Sequence, residues 1–452
     1  MIFFGGTFIS NRNASFSKAP KPIPQKDVKE YGVNFYDYDG TLLYSFTEEE
    51  VLATDENNNY TWQLPPLPDR TGENLVNEGW NWSIENIRSY VSSFHWYLAV
   101  GCTYHTKDGF THIWWNVKEN NTVRRLKITP TEANSVTVNW GDGSYDILQS
   151  ATTTLLEHVY SEHSAINTIR EFHVTIQCSS GAYSFPEMLC GGVYAVNTDN
   201  TYQNNSGVKK VFVSEKVSTL ANGTFAQLAF LEKITIPATL NFGNLESLFY
   251  GCSSLKHITL PDTHTVSDYA FAKSGVETLS FGKSHSPGTT SSLYQTNIKY
   301  HTVITDSTVF GPAYLMESKI SKYKLNDVTQ PYGGFTVSIG QNSFKNCSSL
   351  WYIELGSKLT SIGDSAFFGC TSLVELWLPE TLSTLSGNSF GNCTSLKRIY
   401  SPSITPPTIQ QTTFSSLPST CVIYVPQNSL SVYQSAQYWS NYASQMQTYN
   451  FS

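Results

Sequence analysis

Charge is scarce in this chain. Asp, Glu, Lys and Arg make up only 14% of its 452 residues, and the acids outnumber the bases to a net charge of −8. Lys and Arg are scattered, apart from Lys18, Lys21, Lys26 and Lys29, so the basic footprint that nucleic-acid binding requires is missing. Long apolar runs are missing too: none approaches the roughly 20 residues of a membrane span, and no membrane insertion is expected. The ten His are dispersed and no H-E-x-x-H is present. Met1 to Asn13 lack a charged leader region, and Gly5 and Gly6 break their apolar stretch, so no secretory signal is expected there. Cys102, Cys178, Cys190 and Cys421 show no Cys-x-x-Cys or Cys/His spacing, which argues against zinc.

Aromatic residues are abundant at 14%, with 27 Tyr and 10 Trp. Strands use aromatics in any β-rich chain. Tyr and Trp also give broad contact area at low entropic cost, and their coincidence with depleted charge favours a binding surface.

The segment Ser343 to Ile399 states one pattern three times: SFKNCSSLWYIEL, AFFGCTSLVELWL and SFGNCTSLKRIYS. Phe344, Phe367 and Phe390 are spaced by 23 residues, as are Cys347, Cys370 and Cys393, and Leu350, Leu373 and Leu396. A fixed period of this length means stacked units, each unable to bury its apolar face without the next. The slots recur upstream at Phe225 and Leu231, at Phe249, Cys252 and Leu255, and at Phe271 and Val276. A short alternating strand follows each turn, such as Ile234 to Ile236, and Pro237, Pro261 and Pro379 end three of them. Cys252, Cys347, Cys370 and Cys393 share one slot, which Leu228 fills in the first repeat; a column of buried structural thiols is expected.

The pattern F-x-x-C-x-S-L-x-x-I-x-L-P, followed by Leu359 to Gly363, resembles the BspA-type leucine-rich repeat over about 200 residues, from near Val208 to near Phe414. The resemblance implies a curved solenoid with one strand per repeat on a concave sheet. It also implies surface adhesion or binding of protein or glycan rather than catalysis. Residues 282–335 break the period, as a decayed repeat or as a recognition loop.

The amino-terminal half reads differently. Residues 1–30 hold Pro20, Pro22 and Pro24 and form an extended arm. Residues 31–122 read as a small α/β unit, with a hairpin at Asp39-Gly40 and a helix capped by Ser83 that buries Ile84, Ile87 and Val91. Phe35 to Thr41 (F-Y-D-Y-D-G-T) and Gly79 to Trp82 (G-W-N-W) resemble motifs of a domain in phage tail and prophage-encoded proteins of gut bacteria. Within residues 123–200, Val136 to Gly143 ending in W-G-D-G, then His158-Val-Tyr160 and Phe172 to Ile176, resemble a PKD-type immunoglobulin-like spacer module. Val136 and Val138 would face its core.

Asp37, Asp39 and Thr41 also match the D-x-D-G-T signature of haloacid-dehalogenase-like phosphotransferases, and Gly141 to Asp146 imitates their later metal motif. That chemistry needs alternating strands and helices between the motifs, and the chain offers one good helix and a Pro cluster at Pro65, Pro66 and Pro68. The phosphatase reading is therefore set aside. Asp142 with Asp146 is thin for calcium, and His105 with His112 could meet across a hairpin at Asp108-Gly109.

The expected architecture is mainly β with some α. Its parts are the arm (1–30), the α/β unit (31–122), the PKD-like sandwich (123–200), the solenoid (201–420) and a carboxy-terminal cap (421–452) whose helix would bury Val432, Ala436 and Trp439 on one face. The expected function is a non-enzymatic phage virion protein, in the tail or its tip. It would attach to a bacterial surface protein or glycan through the repeats and to virion proteins through the amino-terminal region, as a homo-oligomer in the particle. A bacterial surface adhesin and a purely structural virion protein are the alternatives. No cofactor, metal or catalytic residue is expected. Thr235, Lys256, His257, Tyr352, Glu354, Glu375 and Trp377 are the candidate ligand contacts, read as solvent-facing positions of the repeat strands.

Overall fold

The computed structural model describes residues 32–94, 97–117, 123–160, 169–186, 207–240, 246–261, 267–280, 291–298, 309–310, 312–324 and 337–451. The expected arm and Cys190 lie outside the described residues.

The chain begins with an antiparallel hairpin, β1 (Gly32–Tyr36) and β2 (Leu42–Thr47), turned at Asp39-Gly40 where Gly40 takes φ +86°. A one-turn helix α1 (Glu48–Val51) follows, its amino end closed by a reciprocal Thr47–Glu50 capping box. Next come β3 (Leu75–Trp80), α2 (Ile84–Phe94) and β4 (Leu98–Thr106). The sheet order is β2-β1-β4-β3, with β1 and β4 parallel. The Ser83 hydroxyl accepts from the Asn86 N–H at 3.2 Å, as a cap should. Ile87, Tyr90 and Val91 of α2 pack on Val33, Phe35, Leu98 and Val100.

A two-sheet sandwich follows, from β5 (Thr111–Val117), β6 (Val123–Pro130), β7 (Val136–Asn139), β8 (Tyr145–Ile147), β9 (Thr154–Val159), β10 (Arg170–Cys178), β11 (Tyr183–Phe185) and β12 (Val208–Phe212). Alternation is strict on β6, where every second residue is buried, and Val136 and Val138 are fully buried as expected. The break between the α/β unit and the sandwich falls earlier than residue 122. β5 pairs antiparallel with β10 from Thr111 to Val117, while β4 pairs with β1 and β3. The turn at Asp108-Gly109 therefore passes the chain between two sheets instead of closing a hairpin.

The W-G-D-G corner is held from inside. Trp140 is fully buried, its indole N–H donates to Asp146 at 2.7 Å, and its carbonyl accepts from the Tyr160 hydroxyl at 2.8 Å. The His158 ring stacks on Trp140 at 4.7 Å and bonds Asp142 at 2.8 Å. Both carboxylates proposed for calcium are thus engaged by side chains of the sandwich.

In the repeats, each turn places a left-handed residue two positions before and two after the Phe slot: Asn342 and Asn346, Ser365 and Gly369, Asn388 and Asn392. Asn, Ser and Gly tolerate that conformation, which explains their recurrence. The Phe-slot amide then donates to the next repeat: Phe344 to Ala366 at 2.7 Å, Phe367 to Ser389 at 2.7 Å, Phe390 to Thr413 at 2.9 Å. The rings stack in a column, Phe344 to Phe367 at 4.8 Å and Phe367 to Phe390 at 5.0 Å. Each slot cysteine donates its thiol back to the preceding Phe-slot carbonyl: Cys252 to Phe225 at 3.0 Å, Cys370 to Phe344 and Cys393 to Phe367 at 3.2 Å.

The same ladder crosses the aperiodic stretch. Phe271 donates to Ser292, Leu293 to Tyr314 and Leu315 to Ser343. Leu293 and Leu315 therefore occupy Phe slots, and Thr296 and Ser318 occupy Cys slots, all buried. The described part of residues 282–335 consists of decayed repeats.

The sandwich is continuous with the repeats. Strand Val217–Leu220 pairs parallel with β11, and strand Lys233–Thr235 pairs parallel with β12. One apolar core runs from Ile113 to Met446. A solenoid end left open would wet its last apolar face, and the sandwich closes that end. At the other end, strand Val422–Pro426 is followed by α3 (Leu430–Ser435), a 3-10 turn (Trp439–Gln445) and strand Met446–Tyr449. Ala436 is extended (ψ 145°), so the helix stops before the expected 432/436/439 face can form. Val432 is 47% exposed and Tyr433 is buried in its place, while Trp439 is buried as expected.

Candidate ligand-binding surface

Each repeat strand of three residues buries its middle side chain, as with Ile234, Ile258, Ile353, Leu376 and Ile399, and turns the first and third outward. What lies over those outward positions divides the ladder in two.

The first part is covered by the α/β unit. The Tyr36 ring lies over His257 at 5.4 Å, and the Lys233 ammonium meets Asp39 at 3.1 Å. The Asn81 amide donates to Leu260 O and Ser280 Oγ, both at 3.1 Å, and its oxygen accepts from the Gly101 N–H at 2.9 Å. Ser280 donates to Ala99 O at 2.9 Å. Two glycines permit this approach: a Cβ on Gly101 would fall 2.0 Å from Thr259 Oγ1, and one on Gly40 would fall 2.8 Å from His257 Cβ. Tyr36, Asp39 and Asn81 belong to the F-Y-D-Y-D-G-T and G-W-N-W motifs, so those motifs face the chain's own repeats.

Two expected contacts are corrected as a result. Thr235 is 3% exposed and His257 is 2% exposed. Alternation identified their side of the strand and said nothing about the cover. Among the described residues, Thr259 Oγ1 is the only hydrogen-bond partner of the His257 Nε2, at 3.2 Å, and its Nδ1 has none. Burial lowers its pKa to about 4, against the pull of Asp39 and Asp37. Lys256 is exposed and paired with Glu277 at 3.1 Å, just before its strand. Tyr352 marks the boundary, packing with Tyr36 against Tyr97 and Ala99.

Glu354, Glu375 and Trp377 lie beyond that boundary, and the structure adds residues to them. Trp377 and Tyr400 stack at 3.7 Å, and Tyr400 and Tyr424 at 4.9 Å, on neighbouring strands. Tyr449 meets all three rings edge-on, at 62° to 82°, and is nearest the middle one, at 5.3 Å, so it lines the side of the column. Phe451 borders Trp377 at 6.4 Å, also perpendicular. Arg398, 44% exposed at its side chain, pairs with Glu375 through Nε at 2.5 Å. The sequence did carry a signal for Arg398 and Tyr400, because they fall 23 residues after Glu375 and Trp377. Tyr449 and Phe451 follow the last repeat and have no such register.

The phosphotransferase motif is a structural knot. Asp37 is fully buried and accepts from Arg70 Nε and Nη2 at 2.8 and 2.5 Å, from the Tyr104 hydroxyl at 2.7 Å and from the Tyr38 N–H at 2.8 Å. A carboxylate so engaged has no lone pair free to attack phosphorus. His105 and His112 do not meet: His105 faces Glu78 at 3.5 Å, whereas His112 bonds His173 at 2.9 Å and Asp108 at 3.0 Å. Among the described residues no cluster of three or more His, Cys, Asp or Glu could hold a metal ion, and no helix is long and apolar enough to cross a membrane.

The BspA-type leucine-rich repeat profile matches six copies over residues 196–321 and 337–451, more than half of the chain. The chain belongs to that family. No curated relative matches it. Among solved structures, the BspA-type chain is similar to a leucine-rich repeat protein from Bacteroides ovatus, with 24% identity and a TM-score of 0.40 over 54% of this chain and 66% of that one. It is similar to the pneumococcal vaccine antigen PcpA, with 17% identity and a TM-score of 0.26 over 59% of this chain and 83% of that one. It is also similar to a leucine-rich cell surface protein of Faecalibacterium prausnitzii, with 15% identity and a TM-score of 0.19 over 59% of this chain and 90% of that one.

Proposed function

We propose that this BspA-type protein is a non-enzymatic, cell-surface-type adhesin. It holds its ligand on the open part of the repeat strands, while the α/β unit and the sandwich form a rigid base. The observation that carries this reading is the division of the strand face. The chain's own α/β unit covers the strands up to Tyr352, and the uncovered strands after it gather Trp, Tyr and Arg, the residues that dominate binding energetics.

A position on a phage tail, with virion partners bound through the amino-terminal region, rests on motifs whose side chains are spent on the repeats. The surface reading is therefore preferred. Immunogold labelling of a producing culture separates the two: gold on cell envelopes supports the adhesin, and gold on particle tails overturns it. The contact surface is tested by adhesion of the purified full chain to bacterial and epithelial cells. Trp377→Ala should lower adhesion at least about tenfold, and Lys256→Ala should leave it unchanged. Equal adhesion by both variants would move the ligand elsewhere.

A further inference from the structure

We infer that the ligand on this open face is a glycan, and that Trp377 is the platform on which one of its pyranose rings stacks. The inference rests on the adhesin reading and names its ligand class.

Trp377 ends an aromatic column. Its face toward Tyr400 is consumed at 3.7 Å with the planes 8° apart, which fixes the indole rigidly upright on the sheet. Among the described residues no ring lies parallel to its other face: Tyr449, which also meets Tyr400 and Tyr424, stands beside the column, and Phe451 meets the indole at 89°. The residue one repeat upstream in the same register is Glu354, not another aromatic. The strands of Glu354 (Tyr352–Glu354) and of Trp377 (Glu375–Trp377) are also not hydrogen-bonded to each other, so the ladder is interrupted beside the free face.

A half-open indole, held by stacking on one side, suits the C–H face of a sugar. Such a platform loses little entropy on binding because it is already ordered. Sugars also need planar hydrogen-bonding groups for vicinal hydroxyls. The Glu354 carboxylate, one repeat upstream in the register of Trp377, and the Glu375–Arg398 pair, whose Glu375 lies two residues along the strand of Trp377, supply acceptors and donors near the ring. A protein partner would instead exploit several exposed ring faces, and Tyr400, at 8% exposure between two rings, has none to offer.

The test probes a printed array of purified bacterial, plant and mucin polysaccharides with the full chain. At least one pyranose polymer should bind. Trp377→Ala should abolish that binding, Trp377→Phe should retain part of it, and Arg398→Ala, at an exposed position, should weaken it about tenfold without changing the melting temperature. In parallel, target cells are treated with periodate, which cleaves vicinal diols, or with protease. Adhesion lost to periodate and spared by protease supports the glycan. Adhesion that needs Trp377 but falls only with protease sinks the glycan inference and leaves the adhesin reading standing. Adhesion indifferent to Trp377 sinks the inference and moves the ligand off this face, and no adhesion by the full chain sinks the adhesin reading itself.

Discussion

Tyr36 and His257 lie ring over ring, 5.4 Å apart, across the contact between the α/β unit and the first repeats. The imidazole is closed in by this contact, and burial holds it neutral with a pKa lowered to about 4. Once undocked, it would return toward the ordinary value of about 6.5. The group's folded pKa is depressed, so its contribution to docking is full above pH 6.5 and is lost as the pH falls from 6.5 toward 4. The shift corresponds to something on the order of 3 kcal/mol. Asp37 and Asp39 partly offset the burial, and Lys233 is committed to Asp39. Small-angle scattering should show the α/β unit docked at pH 7.5 and released near pH 4.5. His257→Phe, which keeps a ring against Tyr36 and cannot take a proton, should move that release to lower pH. An unchanged midpoint would place the pH sensitivity elsewhere.

Gly101 makes the same contact sterically possible. A methyl group there would sit 2.0 Å from Thr259 Oγ1 and 2.8 Å from Thr259 Cβ. Gly101→Ala should therefore weaken docking by about 1–3 kcal/mol, in the manner of an overpacked core, while the repeats themselves keep their fold. Thr259→Ala should restore part of the loss, since it removes the nearer atom. Protease susceptibility of the β4 strand, compared across the single and double variants, measures both effects. Additive effects without any rescue would show that the two residues do not oppose each other.

The repeats were readable because a period repeats its own evidence of geometry: the Phe, Cys and Leu slots each state one buried column. The α/β hairpin at Asp39-Gly40 and the helix cap at Ser83 were equally local and equally readable. Contacts between units were not. Nothing near Thr235 or His257 in sequence reports that Tyr36, some 220 residues earlier, lies over that strand face. For the same reason β5 was placed in the wrong unit: its partners β10 and β12 are distant in the chain. Leu293 and Leu315 escaped recognition because they keep the buried apolar character of the slot and not its residue type. The candidate site was half legible: alternation proposed Glu354, Glu375 and Trp377, but the stacking that fixes Trp377 needed three strands in register.

The thiol column makes a chemical prediction. Burial pushes the thiols of Cys347 and Cys393 up to about 12 and that of Cys370 well above the ordinary value. The thiolate is the reactive form, so these cysteines should resist iodoacetamide at pH 8 in the folded chain and react within minutes in denaturant. Mass spectrometry of the labelled peptides reads the result site by site. Rapid labelling of Cys370 in the native protein would contradict the buried column. Cys370→Ala should cost about 1–2 kcal/mol, through the lost bond to Phe344 O and the small void left behind.

Phe367 tests whether the repeats behave as stacked neighbours. Its ring lies between Phe344 at 4.8 Å and Phe390 at 5.0 Å, and it is fully buried. Phe367→Ala should cost about 3–5 kcal/mol. Its effect should be local, because each repeat contacts only the next ones. Native-state hydrogen exchange should therefore speed most at the amides of Phe344, Phe367 and Phe390, whose bonds to Ala366, Ser389 and Thr413 join these repeats. Amides of β6 and β10 in the sandwich, far along the same continuous core, should change little. Uniform acceleration across the sandwich would show instead that the core, from Ile113 to Met446, unfolds as one cooperative unit.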